Sequence, residues 1–121
     1  MKKSFLNINH LLNISAETTF DMFKKSNLYT GQCNNRFFWL ENAHEIDDIS
    51  GKFKIGLCFR NNKLTRIELF CIDEQIKSEN EKYDKGNDIL KLLQNNYELK
   101  YKSIENSFDH RNNYSSLIMT F

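Results

Sequence analysis

The clearest order in the chain is an alternation of apolar and polar positions. From Gly51 to Cys71, Phe53, Ile55, Leu57 and Phe59 alternate with Lys52, Lys54, Gly56 and Cys58, and beyond Asn61-Asn62 the residues Thr65, Ile67, Leu69 and Cys71 alternate again. Two runs of period two separated by a polar break form the pattern of a β-hairpin with one buried face. Parity constrains its turn, because a slip of one residue sends every side chain to the wrong face. A two-residue loop of Asn61-Asn62 would set Ile55 opposite Glu68 and Leu57 opposite Arg66. A three-residue loop, Arg60-Asn61-Asn62 with Asn62 left-handed, sets Phe53 opposite Leu69, Ile55 opposite Ile67 and Lys54 opposite Glu68. That is the turn the pattern predicts.

Other segments follow the helical period or end in closing strands. Ser15 precedes Ala16, Phe20 and Phe23 at helical spacing, with Glu17 and Asp21 near the start, which predicts a helix over 16–25 stopped by Ser26-Asn27. Phe5 to Ile8 reads as a short strand or a lead-in to it. Residues 35–40 are aromatic and read as a strand, and Glu41 to Ser50 as a polar connection. Ser78-Glu79-Asn80-Glu81 has the form of a capping box ahead of Ile89, Leu90, Leu92 and Leu93, with Gly86 weakening the first turns. Tyr97, Leu99 and Tyr101 alternate, Ile104 and Phe108 fall out of phase, and a bulge near Lys102-Ser103 accounts for the change. Asp109 to Asn113 is a turn and Tyr114 to Phe121 a closing strand. The expected fold is therefore one α+β domain: an antiparallel sheet of about five strands with two helices packed on one face.

Composition narrows the functional classes. The 121 residues fit one domain, and 13% aromatics with ten Phe supply more apolar surface than a disordered chain carries. Proline is absent, so Asn pairs such as Asn61-Asn62 and Asn95-Asn96 are expected to take the turn conformations. Lys and Arg number 17 against 16 Asp and Glu, a balance that lacks the basic excess of a nucleic-acid binder. No apolar run approaches the roughly 20 residues of a membrane span, and polar residues interrupt the N-terminal segment where a signal core would lie. The chain reads as cytoplasmic, with no direct nucleic-acid or membrane partner, as a monomer or weak homo-oligomer.

Candidate chemistry is sparse. Cys33, Cys58 and Cys71 lack CxxC spacing and read as reduced thiols, and His10, His44 and His110 form no paired ligand motif, so neither a metal nor another cofactor is expected. Asp109-His110-Arg111 is the triplet a small hydrolase would use, with His110 beside a nearby Glu, and its blander reading is a solvated turn. Arg36-Phe37-Phe38-Trp39 has the look of an aromatic platform for single strands, although such a run usually packs a core. No catalytic residue is assigned. Glu41, Glu45, Asp47 and Asp48 form a local acidic stretch, and Asp73 and Glu74 open a second one.

The run Gly51-Lys-Phe-Lys-Ile-Gly-Leu-Cys-Phe-Arg-Asn-Asn-Lys-Leu-Thr-Arg-Ile-Glu-Leu, then a helix ending Leu-Leu-Gln, then Asp109-His-Arg-Asn-Asn-Tyr-Ser-Ser-Leu-Ile-Met-Thr-Phe, resembles small bacterial immunity proteins. Members of that group, including those of contact-dependent growth-inhibition systems, neutralise toxins passed between competing cells. The resemblance implies a non-enzymatic partner of a cognate toxin domain, for instance a basic nuclease. It carries over no binding residues. Charge clustering nominates Glu41, Glu45, Asp47, Asp48, Asp73 and Glu74 as the contact surface, with Trp39 and Tyr29 as aromatic anchors. The competing reading is a non-catalytic interaction or assembly domain.

Overall fold

The structure, a computed structural model, describes residues 2–33, 37–72, 78–111 and 113–121. In chain order the elements are β1 (Leu6–Ile8), β2 (Leu12–Ile14), α1 (Phe20–Lys25), β3 (Phe37–Trp39), β4 (His44–Ile46), β5 (Ile49–Arg60), β6 (Lys63–Cys71), α2 (Glu79–Asn96), β7 (Ser103–Asp109) and β8 (Tyr114–Thr120). The strands form one antiparallel sheet in the order β2-β1-β4-β5-β6-β8-β7, with β3 pairing a further stretch of β5. The α+β class stands, but among the described residues the sheet has eight strands rather than about five. The additional strands are three-residue pieces at the N-terminal side, reversed at Asn9 (φ 48°), His10 (φ 61°) and Asp48 (φ 64°). With no Gly-Pro punctuation, such short hairpins read in sequence as a lead-in and a polar connection. Among the described residues no helix is long and apolar enough to cross a membrane.

The long strand β5 organises the two faces. Phe53, Ile55 and Leu57 are buried opposite Cys71, Leu69 and Ile67 of β6, and Leu69 and Ile67 lie in turn opposite Leu117 and Met119 of β8. At roughly 1.5–3 kcal/mol for each fully buried large apolar side chain, this inner face supplies much of the drive to fold. The predicted faces are therefore right, and the predicted register is off by two residues. The turn is the two-residue Asn61-Asn62 loop, both residues left-handed at φ 53° and 66°, as the tight hairpin turn of matching twist requires. Parity is rescued by a bulge. Phe59 pairs with Leu64 but Cys58 with Arg66, leaving Thr65 as the extra residue, its Oγ1 donating to Cys58 O at 3.1 Å. Leu64 and Ile67 both turn inward as a result, and the sequence reading missed Leu64.

Both helices pack against this inner face. In α1, Phe23 stacks on Phe59 of β5 with centroids 5.7 Å apart, and Phe20, Tyr29 and Phe38 close the cluster around them. The helix starts at Phe20 rather than at residue 16, because Thr19 is its N-cap and accepts from Met22 N. Ser15 instead builds a preceding turn with Thr18. The next orphan donors of α1 go to the β5–β6 turn: Phe20 N donates to Asn62 O at 3.1 Å and Asp21 N to Asn62 Oδ1 at 3.0 Å. In α2 Ser78 caps the start as predicted, its Oγ accepting from Glu81 N, and Gly86, Ile89 and Leu93 form the buried stripe. Residues 97–101, expected as a strand, run instead as a connection in which Lys3 pairs its backbone with Asn96 and Glu98.

Gly86 has a positive role. A Cβ there would collide with Ser115 Oγ and Asn106 Oδ1, which are hydrogen-bonded to each other, while Asn106 Nδ2 donates to Tyr83 O and Asn87 Oδ1. The glycine lets α2 settle on β7 and β8 over a satisfied polar node. Gly86→Ala gains roughly 1 kcal/mol of helix propensity but overpacks the node, and we expect a net loss on the order of 1–2 kcal/mol in urea unfolding. Asn62→Gly would ordinarily improve a tight turn. Here it removes a side chain that also accepts from Asp21 N, so stability should fall by about 1 kcal/mol, and a rise would show that the cap contributes nothing.

Candidate functional site

The sequence-nominated residues fall into separate places. Glu45, Asp47 and Asp48 lie at the β4–β5 turn, where Ile46 pairs with Ile49, and all three are exposed, as is Glu41. Asp47 N donates to Asn7 O and Asn9 N to Glu45 O, which ties this turn to the β1–β2 turn. An open hollow of about 420 Å³ lies between them, lined by Asn7, Asn9, His10, Glu45, Asp47 and Asp48. The negative field is smaller than the sequence suggests, because Lys3 Nζ pairs with Asp48 Oδ2. Tyr97, whose hydroxyl donates to Asp47 O at 3.3 Å, has its pKa raised by burial and then by the charge of Asp47. Asp73 and Glu74 lie outside the described residues.

The two aromatic anchors part company. Tyr29 is half-buried on the inner side, its ring against Phe20, Phe23 and Phe38. Trp39 stands on the opposite, outer face. The reason is the alternation along β3: Phe38 pairs with Leu57 and turns inward, whereas Phe37 and Trp39 pair with Cys58 and Gly56 and turn out. The Phe37-Phe38-Trp39 run is thus only one-third core.

On that outer face three rings form a row. Phe37 and Trp39 stack with centroids 5.7 Å apart and planes 21° apart, and Trp39 and Phe70 at 5.6 Å and 26°. Trp39 reaches Phe70 across β5 because Gly56 lies beneath the indole; a Cβ at Gly56 would sit 2.8 Å from Trp39 Cζ3. Lys54 Nζ lies over the Trp39 ring and the Arg66 guanidinium over Phe37, each 5.7 Å from the centroid. Arg66 Nη2 also donates to Glu68 Oε1 at 2.7 Å. Both helices pack on the other side of the sheet, and the three rings remain partly exposed. Sequence reading missed Phe70, Gly56, Lys54 and Arg66. The available signal was a glycine among the outward positions of the strand paired with the aromatic run, which marks a close approach.

The remaining chemistry is modest. His110 Nδ1 is 3.4 Å from Glu79 Oε1, giving the triplet its nearby Glu, but both side chains are more than half exposed, without the enclosure a general base needs. Cys71 is buried and its thiol pKa is pushed up to about 12 by burial, so it is inert; Cys33 is exposed and Cys58 lies on the outer face. Among the described residues no group of three His, Cys, Asp or Glu is placed to hold a metal ion. Comparison with protein-family models, curated proteins and solved structures finds no match.

One histidine makes stability pH-dependent. His44 of β4 lies opposite Phe53, its Nδ1 is buried with no hydrogen-bond partner among the described residues, and burial lowers its pKa from 6.5. The unfolded chain takes up this proton near 6.5 and the folded one resists it. Full stability is therefore present above that pH and falls as the pH drops from there toward the lower folded value. We expect the urea midpoint to decline as the pH falls through and below 6.5, and His44→Phe to flatten that decline. An unchanged slope in the variant would place the sensitivity elsewhere.

Proposed function

We propose that this chain is a non-catalytic binding protein of the immunity type, which neutralises a cognate toxin domain by direct contact through the outer face of its sheet. One observation carries the reading: the Phe37–Trp39–Phe70 row, flanked by Arg66 and Lys54, lies on the sheet face opposite both helices. Aromatic and arginine side chains anchor protein interfaces: the rings bury large area with few rotatable bonds, and the guanidinium presents a planar fork of donors. The row is preorganised by Gly56 and by its own stacking, so little side-chain freedom is lost on binding. The resemblance of residues 51–121 to immunity proteins supplies the class of partner. Its hairpin, β5–β6, is also the hairpin that carries most of this face.

The test joins binding to biology. The product of the adjacent upstream reading frame should be retained by this chain in a pull-down, and co-expression should restore growth to cells producing its toxin domain. Trp39→Ala should weaken the complex by about 30-fold, the ~2 kcal/mol of an interface anchor, while leaving the melting temperature within a few degrees. Full rescue and unchanged affinity in that variant would remove the face from the interface.

A further inference from the structure

The charge on the aromatic face is opposite in sign to the one the sequence nominated for partner contact. The charged side chains of β5 and β6 that share the face with the rings are Lys52, Lys54 and Arg60 on β5 and Lys63, Arg66 and Glu68 on β6. Glu68 is the sole carboxylate in those two strands, and Arg66 already holds it. The acidic cluster lies at the far end of β5, at the β4–β5 turn, with Asp48 partly neutralised by Lys3. Aromatic anchors and free positive charge thus coincide on β5 and β6, while Glu45 of β4 and Glu105 of β7 border the same face on its neighbouring strands.

We propose that the outer face of β3, β5 and β6 docks a carboxylate-bearing protein surface, the acidic side of the cognate toxin domain. This rests on the immunity reading and deepens it, because it names which charge the partner must present. Exposed cations at the border of an apolar patch accelerate encounter with an acidic partner and disfavour a basic one, and the effect weakens as salt rises. A single-stranded nucleic acid would also satisfy the charge, but the rings argue against it. Gly56 lies against one side of the Trp39 indole and cations already lie over Trp39 and Phe37, which leaves less open ring face for a base to stack on. The exposed Lys52, Lys54, Arg60 and Lys63 beside the rings suit carboxylates on a protein surface.

A consequence follows for the toxin. A domain gripped by its acidic side keeps any basic, substrate-binding groove free of this face. Neutralisation then works by distorting the domain or by blocking it with another part of the chain, rather than by mimicking a polyanionic substrate with the acidic turn.

The test measures association kinetics of the full-length chain with the purified toxin domain of the upstream product, from low to high salt. Lys54→Glu, Arg60→Glu and Lys63→Glu combined should slow association at least ~10-fold at low salt, and Lys→Gln and Arg→Gln neutralisation at the same positions should give an intermediate rate. Asp47→Lys with Asp48→Lys should leave association unchanged or faster. Urea unfolding of each variant establishes that it is folded, and the neutralised set serves if the reversed set is not. Binding by the wild type that ignores the reversed face but is lost with Asp47→Lys and Asp48→Lys overturns the inference and leaves the immunity reading intact. Failure of the wild type to bind the toxin domain at all overturns both. Retention of a fluorescent 15-nucleotide oligouridine or oligothymidine by the wild type at about 0.15 M salt, lost in the reversed variant, also overturns it, in favour of a nucleic-acid face.

Discussion

The twelve residues of β5 pair with β3 and β4 along one edge and with β6 along the other, so its register decides the environment of four strands at once. Register in a sheet is a matter of parity: one residue of slip exchanges the inner and outer sets. Here the tight Asn61-Asn62 turn alone would impose the wrong pairing on everything beyond Cys58, and Thr65 restores it by standing outside the ladder. The restored phase puts Ile55, Leu57, Ile67 and Leu69 together inside. By the same operation it puts Gly56, Arg66 and Phe70 together outside, around Trp39. The core and the candidate interface are two readings of one alignment.

The glycines show how that alignment is used. Gly86 admits a polar node between α2 and the β7–β8 hairpin, and Gly56 admits an indole lying flat across a strand. In each case the missing Cβ is a packing requirement rather than a turn signal, one against a pair of hydrogen-bonded side chains and the other against an aromatic ring. The inner face is therefore held by apolar burial around β5 and by a satisfied polar contact at its far edge, whereas the outer face is held by stacking and cation–ring contacts that stay partly wet.

Much of the fold was legible because the long elements have strong periods. The alternation of Phe53, Ile55 and Leu57, the Ser78 cap and the closing strand from Tyr114 all lie where the pattern placed them. What escaped was set by contacts distant in sequence. Nothing near residue 16 announces that Asn62 will cap α1, and three-residue strands carry too little pattern to be read. The candidate site was legible only in part. Trp39 was nominated as an anchor on condition of exposure and stands on the outer face, but its neighbours come from β5 and β6, and no linear window contains Phe37, Gly56, Arg66 and Phe70 together. The acidic residues were conspicuous because they cluster in sequence, which is a different property from clustering around an anchor.

The bond between Asp21 N and Asn62 Oδ1 spans 41 residues and has a temporal meaning. A six-residue helix does not persist alone in water, since the nucleation penalty exceeds what so few hydrogen bonds return. The N–H groups of Phe20 and Asp21 acquire partners only once the β5–β6 turn has closed, and Phe23 finds Phe59 only once that hairpin exists. Assembly accordingly runs against the direction of synthesis at this point. The helix emerges first from the ribosome and waits for the hairpin that completes it.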